Sequence, residues 1–133
     1  MKVKTASTIM RVLLGIIFMA HGISKFQMGL ENVAGWFGSI GIPVFVAYIV
    51  AYLELIGGIS LIVGFATRYL SIGYMVLLLG AIVTVKLPIG LLGNNQMAGY
   101  ELDLALLALA LYFAISDERG LGLDQLLFKK KNK

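Results

Sequence analysis

Cysteine is absent from the 133 residues, histidine occurs once and proline twice. Without cysteine there is no disulfide framework, no thiolate nucleophile, no iron–sulfur cluster and no cysteine zinc site. One histidine cannot supply a two-histidine haem site or a zinc centre. Any redox chemistry must therefore use a group that the chain binds. Charge is scarce as well, at 14% of residues against 59% hydrophobic, where a soluble domain carries about 25% charge. A mean hydropathy of +0.92 belongs to a protein whose surface meets lipid. The net charge of +4 sits largely in the closing run "FKKKNK", and lysines beside a membrane span mark the cytoplasmic side rather than a nucleic-acid site. No Gly-rich nucleotide or phosphate loop is present. Ser24 beside Lys25 lacks the oxyanion hole and ordered base of a hydrolase.

Long apolar runs fill the space that these absences leave. A spanning helix needs about 20 mostly apolar residues. Four such runs are expected, at about 8–26, 44–65, 71–87 and 98–116, followed by a basic tail over 117–133. Pro43 stands at the start of the second, where its missing N–H is not needed, and Pro88 marks the end of the third. Arg11 interrupts the first run and no small-residue cleavage site follows, so it reads as a retained helix rather than a signal peptide. The expectation is one all-α domain over 1–133: an integral-membrane four-helix bundle with a short amphipathic interfacial helix between the first two spans. Lys2, Lys4, Arg11, Arg68, Arg119 and the tail lysines fall on one side, and Lys25 and Lys86 on the other. The positive-inside rule then places both termini in the cytoplasm of a bacterial cell membrane.

Between the first two spans, "GLENVAGWFGSIGIP" places Leu30, Val33, Trp36, Phe37 and Ile40 on one face of a short helix. A tryptophan on such a face suits the outer interface. The segment reads either as a packed loop helix or as a lid over a pocket.

The costly residues can be placed by depth at about 1.5 Å per residue. His21 and Lys25 lie in the outer half of the first helix, Glu54 halfway down the second, Lys86 near the outer end of the third, and Glu101 and Asp103 in the first turns of the fourth. An ionisable residue at mid-membrane costs about 2.5–3.5 kcal/mol on insertion scales. Facing one another across a bundle axis, His21, Lys25, Glu54, Lys86 and Glu101 can pair. Small residues beside them, such as Ala47, Ala51 and Gly58, let the helices approach. Each also has a plainer reading: Lys25 and Lys86 could snorkel to headgroups, His21 could be a satisfied core residue, Asp103 a helix cap, and Arg11 and Arg68 inner-side anchors. Glu54 is too deep to snorkel.

The pattern R-x3-G…H-G-x2-K from Arg11 to Lys25, E-x2-G-G-x5-G-x3-R from Glu54 to Arg68, then Lys86, G-Y-E at Gly99 to Glu101, and the closing "GLGLDQLL" resembles the DoxX family of small bacterial membrane proteins. The resemblance covers nearly the whole chain. It implies a four-helix membrane protein linked to oxidoreductase function, in a family named for a subunit of a thiosulfate:quinone oxidoreductase and including oxidoreductases of the catechol-resistance type. On that reading Glu54, His21 and Glu101 would be the catalytic residues, Glu54 or Glu101 exchanging protons and His21, Lys25 or Lys86 donating hydrogen bonds to the ligand, and Lys25, Lys86, Tyr100 and Trp36 would line the substrate pocket. No metal and no resident cofactor is expected within the chain. A bound quinone or small aromatic ligand, membrane lipid, a redox partner subunit and a second copy are the partners the reading admits; nucleic acid is not. The alternative is a non-enzyme, either a small-molecule transporter or an assembly partner for a redox enzyme.

Overall fold

A computed structural model describes residues 2–87, 89–94, 99–116 and 121–124. Its elements are α1 (Lys2–Met28), α2 (Leu30–Ser39), α3 (Val44–Val63), α4 (Thr67–Ala81), which runs on into a π-helical turn over Ile82–Lys86, and α5 (Glu101–Ile115). No strand occurs among the described residues. The three stretches Lys2–Met28, Val44–Val63 and Thr67–Val85 are long and apolar enough to cross a membrane. The fourth expected span is shorter than anticipated. The 15 residues of α5 reach about 22 Å, less than the ~30 Å hydrocarbon core.

Packing follows from where the sequence is small. α1 lies along α3, and the contact is made by glycines on both sides: a Cβ at Gly15 would meet the Gly58 carbonyl oxygen at 2.6 Å, and one at Gly58 would meet the Met19 nitrogen at 2.5 Å. α4 lies along α5. The two pairs meet in a core of Leu14, Phe18, Leu61, Tyr74, Leu78, Leu106, Ala110 and Phe113. Phe18 and Tyr74 stack at its centre, with ring centroids 3.8 Å apart and planes 4° from parallel. Ser7 Oγ and Tyr112 Oη are 2.7 Å apart, which brings the start of α1 beside the end of α5.

Element ends differ from the sequence expectation for identifiable reasons. α3 stops at Val63 because Gly64 takes φ +78, and its amide and that of Phe65 turn back to the Leu61 and Ser60 carbonyls. α4 begins at Thr67 rather than near Ser71 because a distant carboxylate caps it: Asp124 Oδ1 accepts from the Ala66 amide at 2.9 Å and Oδ2 from the Thr67 amide at 3.1 Å. No local spacing reveals a cap supplied from more than fifty residues away. α2 forms where expected, but its buried face is Val33, Ala34 and Phe37, set on Ala47 of α3.

Candidate functional site

Lys25 Nζ lies 2.6 Å from Glu54 Oε1. Helix packing determines how deep this pair sits. A Cβ at Gly22 would meet the Leu55 backbone nitrogen at 2.5 Å, so this part of α1 is level with the midpoint of α3. α1 then ends at Met28, and Gly29 with φ +93 turns the chain into α2. Phe26 is therefore level with Tyr52, edge to face at 5.2 Å, well inside the start of α3 at Val44. Lys25 does not snorkel to an interface; its ammonium reaches an acid at the centre of a spanning helix. The Glu54 side chain is 5% exposed and that of Lys25 18%, so the pair is closed on the acid side and open on the cation side.

The aromatic surroundings are uneven. Phe26, the residue after Lys25, stands edge to face on Tyr52, which is about half exposed. On the closed side Tyr74 is fully buried, and its hydroxyl donates to the Leu53 carbonyl at 2.8 Å, one residue before Glu54. The hydroxyl sits where any side chain at residue 57 would be, which requires Gly57.

The other expected site residues are placed differently. His21 is exposed, and its Nδ1–H donates to the Ile17 carbonyl of its own helix at 2.8 Å. Among the described residues no hydrogen bond or ion pair joins it to Lys25 or Glu54. Glu101 is exposed at the first position of α5, and its amide donates to the Leu91 carbonyl at 3.0 Å; the preceding Tyr100 donates its amide to Gly90 at 3.2 Å. Both belong to the turn that starts α5, where an acid also suits the helix dipole. Trp36 is 46% exposed and stands edge-on to Phe37, outside the face that α2 presents to α3. The side chain of Lys86 lies outside the described residues. Of the expected convergence, the described contacts therefore join Lys25 and Glu54.

A second polar centre lies at the other end of α1. Arg11 is 2% exposed, and its Nε donates to the Leu61 carbonyl at 2.8 Å and a terminal nitrogen to Ile62 at 3.5 Å. These are carbonyls of the last turn of α3, where the helix's own ladder ends, and that of Leu61 is shared with the Gly64 amide. The Asp124 carboxylate acts on the guanidinium from across the loop. The Asp124 amide donates to the Gly64 carbonyl at 2.9 Å, and the Leu121 amide to Thr8 Oγ1 at 2.8 Å. Gly64 is necessary twice over: its φ is positive, and a Cβ there would lie 2.9 Å from Arg11 Cζ. Expected as an inner-side anchor, Arg11 is instead a buried tie between α1 and α3. In the sequence it showed as a charge interrupting the first apolar run and as the start of the R-x3-G pattern.

Comparison with known proteins identifies the family. The DoxX family model matches residues 6–87. The chain is 46% identical over 125 residues to a Bacillus subtilis protein named "Putative oxidoreductase CatD", covering 93% of this chain and 89% of the relative. It is 31% identical over 130 residues to an uncharacterised membrane protein of Mycobacterium tuberculosis, covering 90% and 80%. It is 29% identical over 124 residues to an uncharacterised Haemophilus influenzae protein, covering 91% and 90%. No solved structure matches. With its family pattern running from Arg11 on α1 through Glu54 and Arg68, and with a family model matched over most of its length, the chain belongs to the DoxX family.

Proposed function

We propose that the protein is a membrane oxidoreductase, or the membrane subunit of one, that binds a quinone or catechol-type ring beside the Lys25–Glu54 pair. The observation that carries this reading is the asymmetry of the pair: a buried acid and a more exposed cation, at the middle of a spanning helix. An ammonium has three donors, and that of Lys25 is held against Glu54 Oε1 as an ion pair. Its N–H donors can reach a ligand oxygen from the more exposed side of the pair. Reduction of a quinone to a hydroquinone takes two electrons and two protons. Lys25 stabilises negative charge developing on the ligand oxygen, and Lys25 and Glu54 pass protons. Electrons come from a second reactant, either a soluble donor or a partner subunit. The reading also places both termini in the cytoplasm, in line with the lysine and arginine distribution.

The test is made in cells and with purified protein. Glu54→Gln, present in the membrane at the wild-type level, should lose protection against catechol and p-benzoquinone. In detergent it should lose binding of p-benzoquinone measured by calorimetry. Full protection with undiminished binding would reject the reading. A liposome flux assay with catechol separates the alternative: flux that depends on Glu54 with no change in the oxidation state of the ligand would make the protein a transporter. Orientation has its own check. The chain lacks cysteine, so Lys2→Cys and Gly41→Cys report sidedness without background; Lys2→Cys should resist an impermeant maleimide on intact cells and Gly41→Cys should react.

A further inference from the structure

A surface groove of about 520 Å³ runs along the start of α1 and is lined by Lys2, Lys4, Thr5, Ala6, Ile9 and Leu121. It lies at the end of the molecule away from the Lys25–Glu54 pair and takes no part in the proposed chemistry. Its two walls come from parts of the chain more than a hundred residues apart. One is the first two turns of α1. The other is the returning C-terminal segment, held in place by the Leu121 amide on Thr8 Oγ1 at 2.8 Å and by Asp124 on the start of α4. Ile9 and Leu121 are more than half exposed in this groove, an apolar wall left uncovered among the described residues. The cations of Lys2 and Lys4 stand at the membrane-surface end, because α1 enters the bilayer from there.

The groove therefore has two chemistries in a fixed order: ammonium groups at the water side, then alkyl surface going inward along the helix. A soluble anion would use only the first, and a neutral lipid only the second. We infer that the groove is a binding site for one anionic phospholipid, its phosphate held by Lys2 and Lys4 and the upper part of an acyl chain lying on Ala6, Ile9 and Leu121. A basic pocket next to a spanning helix is a recurrent headgroup site. Because the second wall is the C-terminal segment, the lipid bridges that segment to α1. Its binding stabilises the docked arrangement in which Asp124 caps α4 and faces Arg11.

The full-length protein, purified in a mild detergent, is titrated with phosphatidylglycerol and separately with phosphatidylcholine of the same chains. Bound lipid is counted by native mass spectrometry and thermal unfolding is followed in parallel. Phosphatidylglycerol should be retained as one molecule per chain and should raise the unfolding temperature, while phosphatidylcholine should do neither. In Lys2→Gln/Lys4→Gln the affinity for phosphatidylglycerol should fall roughly thirtyfold. Ile9→Ser should weaken phosphatidylglycerol through the apolar wall while leaving the preference for the anionic lipid intact. All substituted residues are exposed, so the variants fold, and unchanged helical circular dichroism verifies that. Equal retention of the two lipids, or selectivity undiminished in the double lysine variant, overturns the proposal. Stabilisation by inorganic phosphate alone equal to that by phosphatidylglycerol also overturns it, because the apolar wall would then be idle.

Discussion

Arg11 and Lys25 are two cations on one helix, about 21 Å apart along its axis, and the protein uses them in opposite ways. Arg11 is 2% exposed, and its donors go to backbone carbonyls at the end of α3. Its countercharge, Asp124, is itself occupied by two amides of the next helix. This end of the molecule is a closed network in which each charge completes a helix terminus. Lys25 and Glu54 complete nothing of the backbone. They hold each other at 2.6 Å with the cation side open. A closed network fixes geometry; an open pair retains donors for something else. That difference separates structural charge from functional charge in this chain, and it can be attacked from both ends.

The largest effect is expected from breaking the open pair on one side. Glu54→Leu leaves Lys25 uncompensated in the bundle and should destabilise by about 3–5 kcal/mol, read from denaturation in detergent. The same substitution combined with Lys25→Met should recover most of that loss, since two apolar groups replace two charges. At the closed end, Arg11→Met removes the guanidinium donors to the Leu61 and Ile62 carbonyls and should cost about 1–3 kcal/mol. Its remaining folded fraction should bind p-benzoquinone with wild-type affinity, which is where the two ends diverge most clearly. Asp124→Ala removes the cap of α4 and should cost about 1–2 kcal/mol; amide exchange at Ala66 and Thr67 should rise before that elsewhere in α4. The smallest effect is expected from Ser7→Ala, which loses one hydrogen bond to Tyr112 and should cost about 0.5–1.5 kcal/mol. A loss of ligand binding in Arg11→Met as large as in Glu54→Gln would erase the distinction between the two ends.

The same contrast explains what could be read from the sequence. Glu54 stood out because an acid in the middle of a 20-residue apolar run has few tolerable explanations, while Lys25 was one of several groups that depth alone set near it. The helices themselves were legible from apolar length, and α2 from its periodicity. The remaining convergence was less legible. Counting depth from helix ends treats every helix as crossing the whole bilayer, but α1 ends at Met28 level with the inside of α3, and α5 has only 15 residues. His21 lies on a helix flank that the count could not assign, and the structure leaves it exposed with its Nδ1 bonded to Ile17. The closed end was nearly invisible, because Arg11, Gly64 and Asp124 meet only after the C-terminal segment folds back. Their spacing in the chain carries no periodic signal, and as a group they were marked only by the shared family pattern.

The most direct test of functional charge at the open pair is ligand binding by a variant that keeps the fold and removes only the charge. Lys25→Met/Glu54→Gln carries no net change in charge and leaves neither group unpaired as an ion, so it should unfold near the wild-type temperature. The account predicts that this folded variant neither binds p-benzoquinone in calorimetry nor protects cells against catechol. Wild-type binding and protection in the same variant would contradict it, and would make the pair a packing device like its counterpart at Arg11.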